Sequence, residues 1–422
     1  MRKLCVYIEI NGNNVYVGDI IGNNSEDACF TYSESYLENH DSRAISIGLP
    51  LTDRTFDSFL TRNYFEGLLP EGFTRRCVAE WMRIDENDYL SILDGLGREC
   101  LGALKIVNDD DVQLQAEYKE LTSKEVRELA KEGATASAEL VTKSHISLTG
   151  ASGKVGLYYD GRKWYLPIGD APSTHIVKQS HVRLKKIVFN EQLCLLTASK
   201  LGIETPESFI VNLDNFEDEN ILFATSRYDR KFKSDNRVIG AIEAPYRLHQ
   251  EDFAQALGIP SKDKYEKKGG NYMRKAFEVL RYYSADPISD QAKLWRQCIF
   301  NYLIGNTDNH IKNISLLYSE DLKRIRLAPA YDIISTIIYD ASSRDMSMSI
   351  GGEYEIDKIN KELFMDEAHN IAFGKRAAME IYDEVQENFK SALIESTDEL
   401  SAQGLTGVDE ICEAILQRNY LR

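Results

Sequence analysis

The sequence lacks several features that mark whole classes of protein. Its seven cysteines are scattered and odd in number, with no Cys-x-x-Cys pair. They favour reduced thiols in a cytosolic protein over a disulfide framework or a zinc site. The seven histidines form no His-x-x-x-His or His-Glu-x-x-His pair, so a catalytic zinc site has no support. No apolar run approaches a membrane span and no signal peptide is recognisable, so we expect a cytoplasmic protein.

An excess of positive charge is also missing. Fifty basic residues face 67 acidic ones, which gives a formal net charge of −17. This balance argues against a general nucleic-acid-binding surface and leaves room only for a local basic patch. The 422 residues suffice for two or three domains with a sizeable core.

The strongest polar pattern is the stretch of residues 305–313, here called the polar loop. It follows an apolar segment with a repeat of three to four residues, which predicts a buried helix. That segment contains Leu294, Trp295, Cys298, Ile299, Tyr302 and Leu303. Gly305 and Asn306 can end the helix, which places Asp308 and Asn313 on a loop with a rigid support.

A second aspartate follows the polar loop. Two short apolar runs, residues 314–318 and 325–328, predict a β-hairpin, and Asp332 comes soon after it. Protein kinases place a catalytic Asp and a metal-binding Asn five positions apart, with a metal-binding Asp beyond a hairpin. For Asp308 alone, a helix cap or a turn is the favoured interpretation. The three residues together favour a site for phosphoryl transfer from a metal nucleotide.

Upstream residues can be assigned to the same chemistry. Residues 144–154 are rich in glycine and small side chains, as in phosphate-binding loops, although Val155 rules out a Walker A motif and a plain hairpin turn fits too. Lys178 ends a predicted strand, where it is either solvated or placed to bind phosphate. Glu191 opens a predicted helix over residues 191–201, where it either pairs with Lys178 or favours the helix N-terminus.

The remaining sequence predicts three parts, residues 1–108, 109–230 and 231–422. The first is a small α+β unit with a hairpin over residues 4–21 and an extended piece over residues 44–51. It has no convergent polar cluster, so it suggests docking or structure. The second is rich in predicted strands, and the third is mainly helical.

The chain resembles the HipA family of bacterial serine/threonine kinases, the toxins of type II toxin–antitoxin pairs. The resemblance spans nearly the whole length in one order. It is carried by residues 68–71, 97–103, 146–154, 174–178, 227–230, 250–255, Lys264 and Tyr265, 307–313 and 331–334. It implies an α+β, two-lobed, protein-kinase-like fold with a small N-terminal α+β domain, an antiparallel-sheet ATP lobe and a mainly helical C-terminal lobe.

The resemblance also implies residue roles. Asp308 is expected to be the catalytic base, Asn313 and Asp332 to bind Mg²⁺, and Ser147 to be autophosphorylated. ATP is expected to contact Thr149, Gly150, Ala151, Ser152, Gly153, Lys154 and Lys178 through its phosphates, Ser226, Arg227 and Tyr228 through its adenine, and also His310, Ile311, Lys312, Asn313, Tyr331 and Asp332. Ser226 departs from the acidic residue frequent in the family, so adenine contacts there would depend on the backbone.

The resemblance finally implies partners. Family toxins phosphorylate an aminoacyl-tRNA synthetase and bind a small helix-turn-helix antitoxin of the HipB type, through which they contact DNA. Two alternatives stay open. Asp-x-His-x-x-Asn also resembles the catalytic loop of inositide kinases, which allows a small-molecule kinase. A non-catalytic module that serves a repressor complex is the other, although the intact Asp308, Asn313 and Asp332 argue against it.

Overall fold

A computed structural model describes residues 1–108, 115–132, 134–144, 148, 153–180, 184–235 and 237–420 of the chain. The chain divides into two compact units. The first unit contains Met1–Gln179, Ala224–Ser261 and Leu317–Arg324, and the second contains Ser180–Phe223, Lys262–Leu316 and Ile325–Arg422. The three-part division along the chain stays a prediction.

Strands and helices are mixed throughout the described ranges. The strands are β1 (Arg2–Ile10), β2 (Asn13–Gly22), β3 (Cys29–Tyr32), β4 (Thr55–Phe56), β5 (Leu104–Asn108), β6 (Glu117–Glu120), β7 (Lys154–Tyr159), β8 (Trp164–Ile168), β9 (His175–Gln179), β10 (Ser208–Asn212), β11 (Ile221–Ser226), β12 (Arg230–Lys231), β13 (Val238–Ile239), β14 (Ile242–Glu243), β15 (Tyr246–Arg247), β16 (Gln250–Asp252), β17 (Ser315–Tyr318), β18 (Ile325–Leu327), β19 (Asp345–Ile350) and β20 (Glu353–Glu355).

The helices complete the inventory. They are α1 (Glu34–Glu38), α2 (Ser58–Phe65), α3 (Gly72–Met82), α4 (Tyr89–Leu96), α5 (Ser123–Glu132), α6 (Ala134–Ser144), α7 (Ile187–Lys200), α8 (Phe253–Ala256), α9 (Tyr272–Tyr283), α10 (Pro287–Ile304), α11 (Lys361–Asn370), α12 (Lys375–Ala402) and α13 (Val408–Tyr420). Single 3₁₀ turns lie at Glu66–Leu68, Asp218–Asn220, Ser261–Asp263 and Ile311–Asn313. None of these helices has the length and hydropathy needed to cross a membrane.

An antiparallel sheet of order β4-β3-β2-β1-β5 forms the N-terminal part of the first unit. The predicted hairpin over residues 4–21 is confirmed as β1 and β2. Its turn suits this pairing because Asn11 and Gly12 both adopt positive φ, as two-residue hairpin turns require. Inward residues such as Val6, Ile8 and Val17 are fully buried.

The extended piece predicted over residues 44–51 does not form a strand, because this segment consists of turns and irregular backbone. Its backbone groups pair with side chains and not with a neighbouring strand. The carbonyl of Ile45 accepts from the Tyr64 hydroxyl at 2.9 Å and lies 2.7 Å from Nε2 of His249, and the amide of Ile47 donates to Glu251 at 3.0 Å. The alternation of apolar residues in this segment therefore reflects burial, and not hydrogen bonding to a neighbouring strand.

The second sheet of the first unit contains β9, β7, β8 and β6 in that order, with the end of β11 beside β9. The β7–β9 and β7–β8 pairs are antiparallel.

The second unit is mainly helical, and α10 runs through its core. Trp295, Ile299 and Phe300 of this helix are fully buried, which confirms the apolar helix predicted before the polar loop. The helix predicted over residues 191–201 begins four residues earlier, at Ile187. Apolar residues from Ile187 to Phe189 extend it, so Glu191 lies inside the helix and not at its N-terminus.

Candidate functional site

The start of the polar loop is fixed by the end of α10. Gly305 ends the helix with a positive φ of 75°, and a β-carbon there would lie 2.2 Å from Cγ2 of Ile337. Glycine therefore suits this position for both backbone conformation and space. The amide of Asn306 then donates to the carbonyl of Asn301 at 2.8 Å, which closes the helix end.

The middle of the polar loop is held by hydrogen bonds from neighbouring segments. The amide of Thr307 donates to the hydroxyl of Thr336 at 2.8 Å. The carbonyl of Thr307 accepts from the amide of Ser347 at 3.1 Å and from its hydroxyl at 2.6 Å. Ser347 belongs to β19, so a strand and a loop both support the backbone beside Asp308.

Arg418 of α13 is a further support that the sequence did not identify. Its Nη1 donates to the carbonyls of Tyr302 and Leu303 at 2.5 and 3.0 Å. These carbonyls are in the last turn of α10, where a cation also complements the helix dipole. The contact spans more than one hundred residues of sequence, so local patterns carry no signal for it.

Asp308 is the exposed residue of the polar loop, whose other members are buried. Its backbone is nonetheless fixed, because its amide donates to Oδ1 of Asn306 at 3.1 Å and its carbonyl accepts from the amide of His310 at 2.8 Å. The carboxylate oxygen Oδ1 accepts from the hydroxyl of Tyr265 at 2.8 Å. A carboxylate at the surface of a rigid loop is suited to proton transfer.

Asn313 is connected directly to Asp308. Its side-chain nitrogen donates to the Asp308 carbonyl at 3.0 Å, which fixes the orientation of the amide group. Asp332 has a positive φ of 55°, a conformation in which Asp and Asn are enriched. Asn313 thus offers an oxygen atom in a fixed orientation, and Asp332 offers a carboxylate on a constrained backbone.

Other predicted nucleotide contacts cluster around these two residues. The hydroxyl of Tyr331 donates to the carbonyl of Lys312 at 2.9 Å and lies 2.6 Å from the hydroxyl of Ser315. The ring of His310 meets the edge of Tyr265 at 5.3 Å. Ile311 is fully buried. The second unit thus brings Asp308, Asn313 and the Tyr331–Asp332 pair to one set of connected segments.

Two predicted phosphate-binding lysines lie side by side in the first unit. Lys154 of β7 is directly opposite Lys178 of β9 in the antiparallel register, and both are at least nine-tenths buried. Like charges in opposed positions repel each other, which disfavours this pair unless anionic groups lie nearby. The pairing was not predicted, because the register of strands 24 positions apart is not readable from either strand alone.

Ser226 is the last residue of β11, and Arg227 and Tyr228 follow it directly. The backbone amide of Arg227 donates to the carbonyl of Thr174 at 2.8 Å, and the Tyr228 hydroxyl bonds Oε1 of Gln250. The Arg227 side chain is buried and points into an ionic cluster made of Glu99, Arg227, Asp229 and Arg230, here called the Glu99 cluster.

The Glu99 cluster is fully enclosed and balanced in charge. Glu99 pairs with Arg227 at 3.0 Å and with Arg230 at 2.6 Å, and Asp229 pairs with the same two arginines at 2.7 and 3.0 Å. The Arg227 guanidinium also donates to the carbonyl of Cys100, and Asp229 accepts from the amide of Gly102. Asp229 and Arg230 pair with each other within the stretch that carries the resemblance, whereas the sequence analysis did not identify Glu99.

The other predicted site residues are located by their position in the chain or by the unit to which they belong. Ser147, Thr149, Gly150, Ala151 and Ser152 lie outside the described residues. Gly153 directly precedes β7. Lys178 belongs to the first unit and Glu191 to the second, so their pairing stays a prediction.

Comparison with protein families gives two matches in the order expected. A model of the HipA N-terminal domain matches residues 8–107, and a model of the HipA-like C-terminal domain matches residues 146–393.

Individual relatives match over most of their length. A Sinorhizobium fredii protein provisionally named as a kinase is 30% identical over 397 residues, which cover 90% of each chain. The serine/threonine-protein kinase toxin HipA of Shewanella oneidensis is 24% identical over 361 residues, which cover 82% of this chain and 80% of that protein.

The fold has a solved counterpart. A structure of the Shewanella oneidensis toxin–antitoxin system HipA and HipB with its operator DNA contains a chain that superposes with a TM-score of 0.79. The match covers 97% of this chain and 96% of that chain at 19% identity. The predicted kinase-like α+β fold class is confirmed.

Proposed function

This chain belongs to the HipA family, and from that premise we propose that it is an ATP-dependent serine/threonine protein kinase that acts as a toxin. The observation that carries the proposal is the exposed carboxylate of Asp308 on a loop whose backbone is fixed, with the side chain of Asn313 bonded to its carbonyl.

Asp308 is the proposed general base. Its carboxylate accepts the proton of the acceptor hydroxyl while that oxygen bonds to the γ-phosphorus and the bond to the β-phosphate breaks. General base catalysis by a positioned side chain typically contributes a factor of about 10² to about 10⁴ to the rate. The supports on Thr307 and on the end of α10 hold the base in position, which such a contribution requires.

Asn313 and Asp332 are the proposed ligands of Mg²⁺. The donor set fits this ion, because Mg²⁺ prefers hard oxygen ligands and takes the remaining ones from phosphates and water. The hydrogen bond from the Asn313 nitrogen to the Asp308 carbonyl fixes the orientation of the amide group, which supports a ligand role for its oxygen. Bound there, the ion would neutralise charge on the phosphates.

Lys154 and Lys178 are the proposed phosphate contacts from the sheet. Two buried lysines opposite each other concentrate positive charge at one point of the sheet, and this charge suits the anionic phosphates of a nucleotide. The backbone of Ser226, Arg227 and Tyr228 is proposed to hold adenine, since the side chain of Arg227 is committed to the Glu99 cluster.

The proposal extends to acceptors and partners. Ser147 is the proposed site of autophosphorylation, and its phosphate would repel the phosphates that neighbouring residues bind. An aminoacyl-tRNA synthetase is the proposed protein substrate. The superposed HipA chain was solved with HipB and operator DNA, which supports a HipB-like antitoxin as partner of this chain and DNA contact mainly through it.

The test is incubation of the purified protein with Mg²⁺ and labelled ATP, alone and with cell lysate, followed by mass mapping. Label on Ser147 and on one lysate protein is expected. An Asp308→Ala variant serves as the control and is expected to stay unlabelled while remaining folded. If the folded, unphosphorylated wild-type protein labels no protein at all, protein-kinase activity is ruled out and small-molecule acceptors become the next candidates.

A further inference from the structure

Tyr265 contacts the proposed catalytic base and has no role in the function described so far. Its hydroxyl donates to Oδ1 of Asp308 at 2.8 Å. A general base in phosphoryl transfer must accept a hydrogen bond of this length from the hydroxyl of its substrate. The tyrosine hydroxyl therefore forms the contact that the acceptor hydroxyl of a protein substrate has to form.

The backbone next to Tyr265 is firmly attached to the segment that supports the polar loop. The amide of Glu266 donates to the carbonyl of Ser347 at 2.9 Å, and the Glu266 carboxylate accepts from the amide of Ser349 at 2.6 Å. Ser347 in turn bonds Thr307, the residue before Asp308. The approach of Tyr265 to Asp308 is thus built into β19 and does not depend on a chance position of a surface loop.

The side chain itself is held much less tightly. Tyr265 is 48% exposed, with the edge of His310 at 5.3 Å and the ammonium group of Lys264 at 5.4 Å from its ring. Residues that orient a catalytic group are normally locked by packing on several sides. A half-exposed ring on an anchored backbone can instead leave by side-chain rotation, which is fast compared with catalysis.

We propose that Tyr265 is an internal stand-in for the substrate, which occupies the acceptor position on Asp308 until a protein substrate displaces it. This inference rests on the proposed kinase function. In the substrate-free protein the tyrosine hydroxyl occupies Oδ1 of the base, so a water molecule must displace it to reach that oxygen, which limits wasteful ATP hydrolysis. Acceptor hydroxyls must compete with the tyrosine, which favours substrates that bind well elsewhere on the protein.

The test is the substitution Tyr265→Phe, which removes the hydroxyl and keeps the ring. Two rates are measured with Mg²⁺ and ATP: hydrolysis of ATP without any acceptor, and self-labelling at Ser147. Both are expected to rise by about three- to tenfold, the range that corresponds to loss of one competing hydrogen bond. Tyr282→Phe, at an exposed tyrosine of α9, is the matched control and is expected to leave both rates unchanged.

The other outcomes overturn the inference in distinguishable ways. A fall in both rates, with an unchanged melting temperature, would make Tyr265 a positioning residue for Asp308. Unchanged rates would show that the hydroxyl does not compete. Phosphate on Tyr265 itself in the mass map would make it a substrate. If the folded wild-type protein neither hydrolyses ATP nor labels any protein, the proposed function fails and this inference fails with it.

Discussion

The Glu99 cluster and the polar loop are both polar and mostly buried, yet they differ in where their charges point. In the Glu99 cluster every acid faces an arginine inside the first unit, and the side chains of Glu99 and Arg227 have no exposed surface. In the polar loop the backbone is enclosed while the carboxylate of Asp308 reaches the surface. The charges of the Glu99 cluster are matched inside the protein and support its architecture, whereas the polar loop presents one carboxylate on an enclosed backbone, as the proposed reactive site requires.

The pKa values of the buried acids also depend on which groups surround each carboxylate. Burial alone would raise the pKa of Glu99, but Arg227 and Arg230 outweigh it and hold that pKa below its ordinary value. Glu251 is equally buried, and burial raises its pKa to about 7, because the two hydroxyls and the amide that donate to it lower the pKa less than burial raises it. The identity of the neighbours, and not burial by itself, decides the charge of each acid.

The largest effect is expected from substitution of Asp308, which should lower catalytic activity and leave the stability of the protein nearly unchanged. Asp308→Asn keeps the shape of the side chain and removes the base, so phosphoryl transfer should fall by about 10³-fold. Unfolding by urea should change by less than about 0.5 kcal/mol, because the side chain is exposed. A variant that retains activity, or one that unfolds, would contradict the division between a reactive loop and a structural cluster.

Substitution of Glu99 is expected to lower the stability of the folded protein. Glu99→Gln leaves Arg227 and Arg230 with Asp229 as their remaining acid in the cluster, and should lower the free energy of unfolding by about 3 kcal/mol. Urea unfolding monitored by circular dichroism measures it. Glu380→Gln, which breaks the exposed pair with Arg376, is the control and should leave the unfolding midpoint unchanged. Equal effects of the two variants would refute the structural role of the cluster.

A pH profile tests the contrast between Glu99 and Glu251. Because the folded pKa of Glu251 lies above its ordinary value of 4.5, the folded protein binds the proton more tightly than the unfolded chain. This contribution to stability is complete below the unfolded pKa and is lost as the pH rises through about 7. Between about pH 5.5 and about pH 8 the loss should reach about 2 kcal/mol. In Glu251→Gln this component should vanish, and an unchanged pH profile would contradict the assignment.

The smallest expected effect concerns the two opposed lysines. Lys178→Met or Lys154→Met should raise the KM for ATP by about tenfold, since each removes one charged contact to phosphate. Lys163→Met, at an exposed lysine paired with Glu120, is the matched control. A KM equal to that of the control would argue that these lysines serve the sheet alone.

Local features of the site were predictable from the sequence. The apolar repeat of α10, the glycine at its end and the spacing of Asp308 and Asn313 all arise within about twenty residues. Asp332 follows one hairpin later. These elements depend on short-range backbone preferences and on burial of one helix, which a sequence pattern records directly.

Features that depend on distant pairing were not predictable. Glu99 meets Arg227 across 128 positions, and Tyr265 meets Asp308 across 43. Apolar residues alternate along residues 44–51 as they do in a strand. The backbone groups of Ile45 nevertheless form hydrogen bonds with the side chains of two tyrosines and a histidine. In each case the partner is set by tertiary packing, which leaves no trace in the local order of residues.

The Glu99 cluster also constrains how this chain can recombine with its relatives. Glu99 lies in the segment that matches the N-terminal family model, whereas Arg227, Asp229 and Arg230 lie in the segment that matches the C-terminal one. Recombination between residues 108 and 145 would join the two matched segments from different relatives. Such a crossover would separate Glu99 from the three residues with which it forms the Glu99 cluster. Hybrids that inherit a neutral residue at position 99 should be lost from a selection for folded protein, and those that inherit an acid should survive.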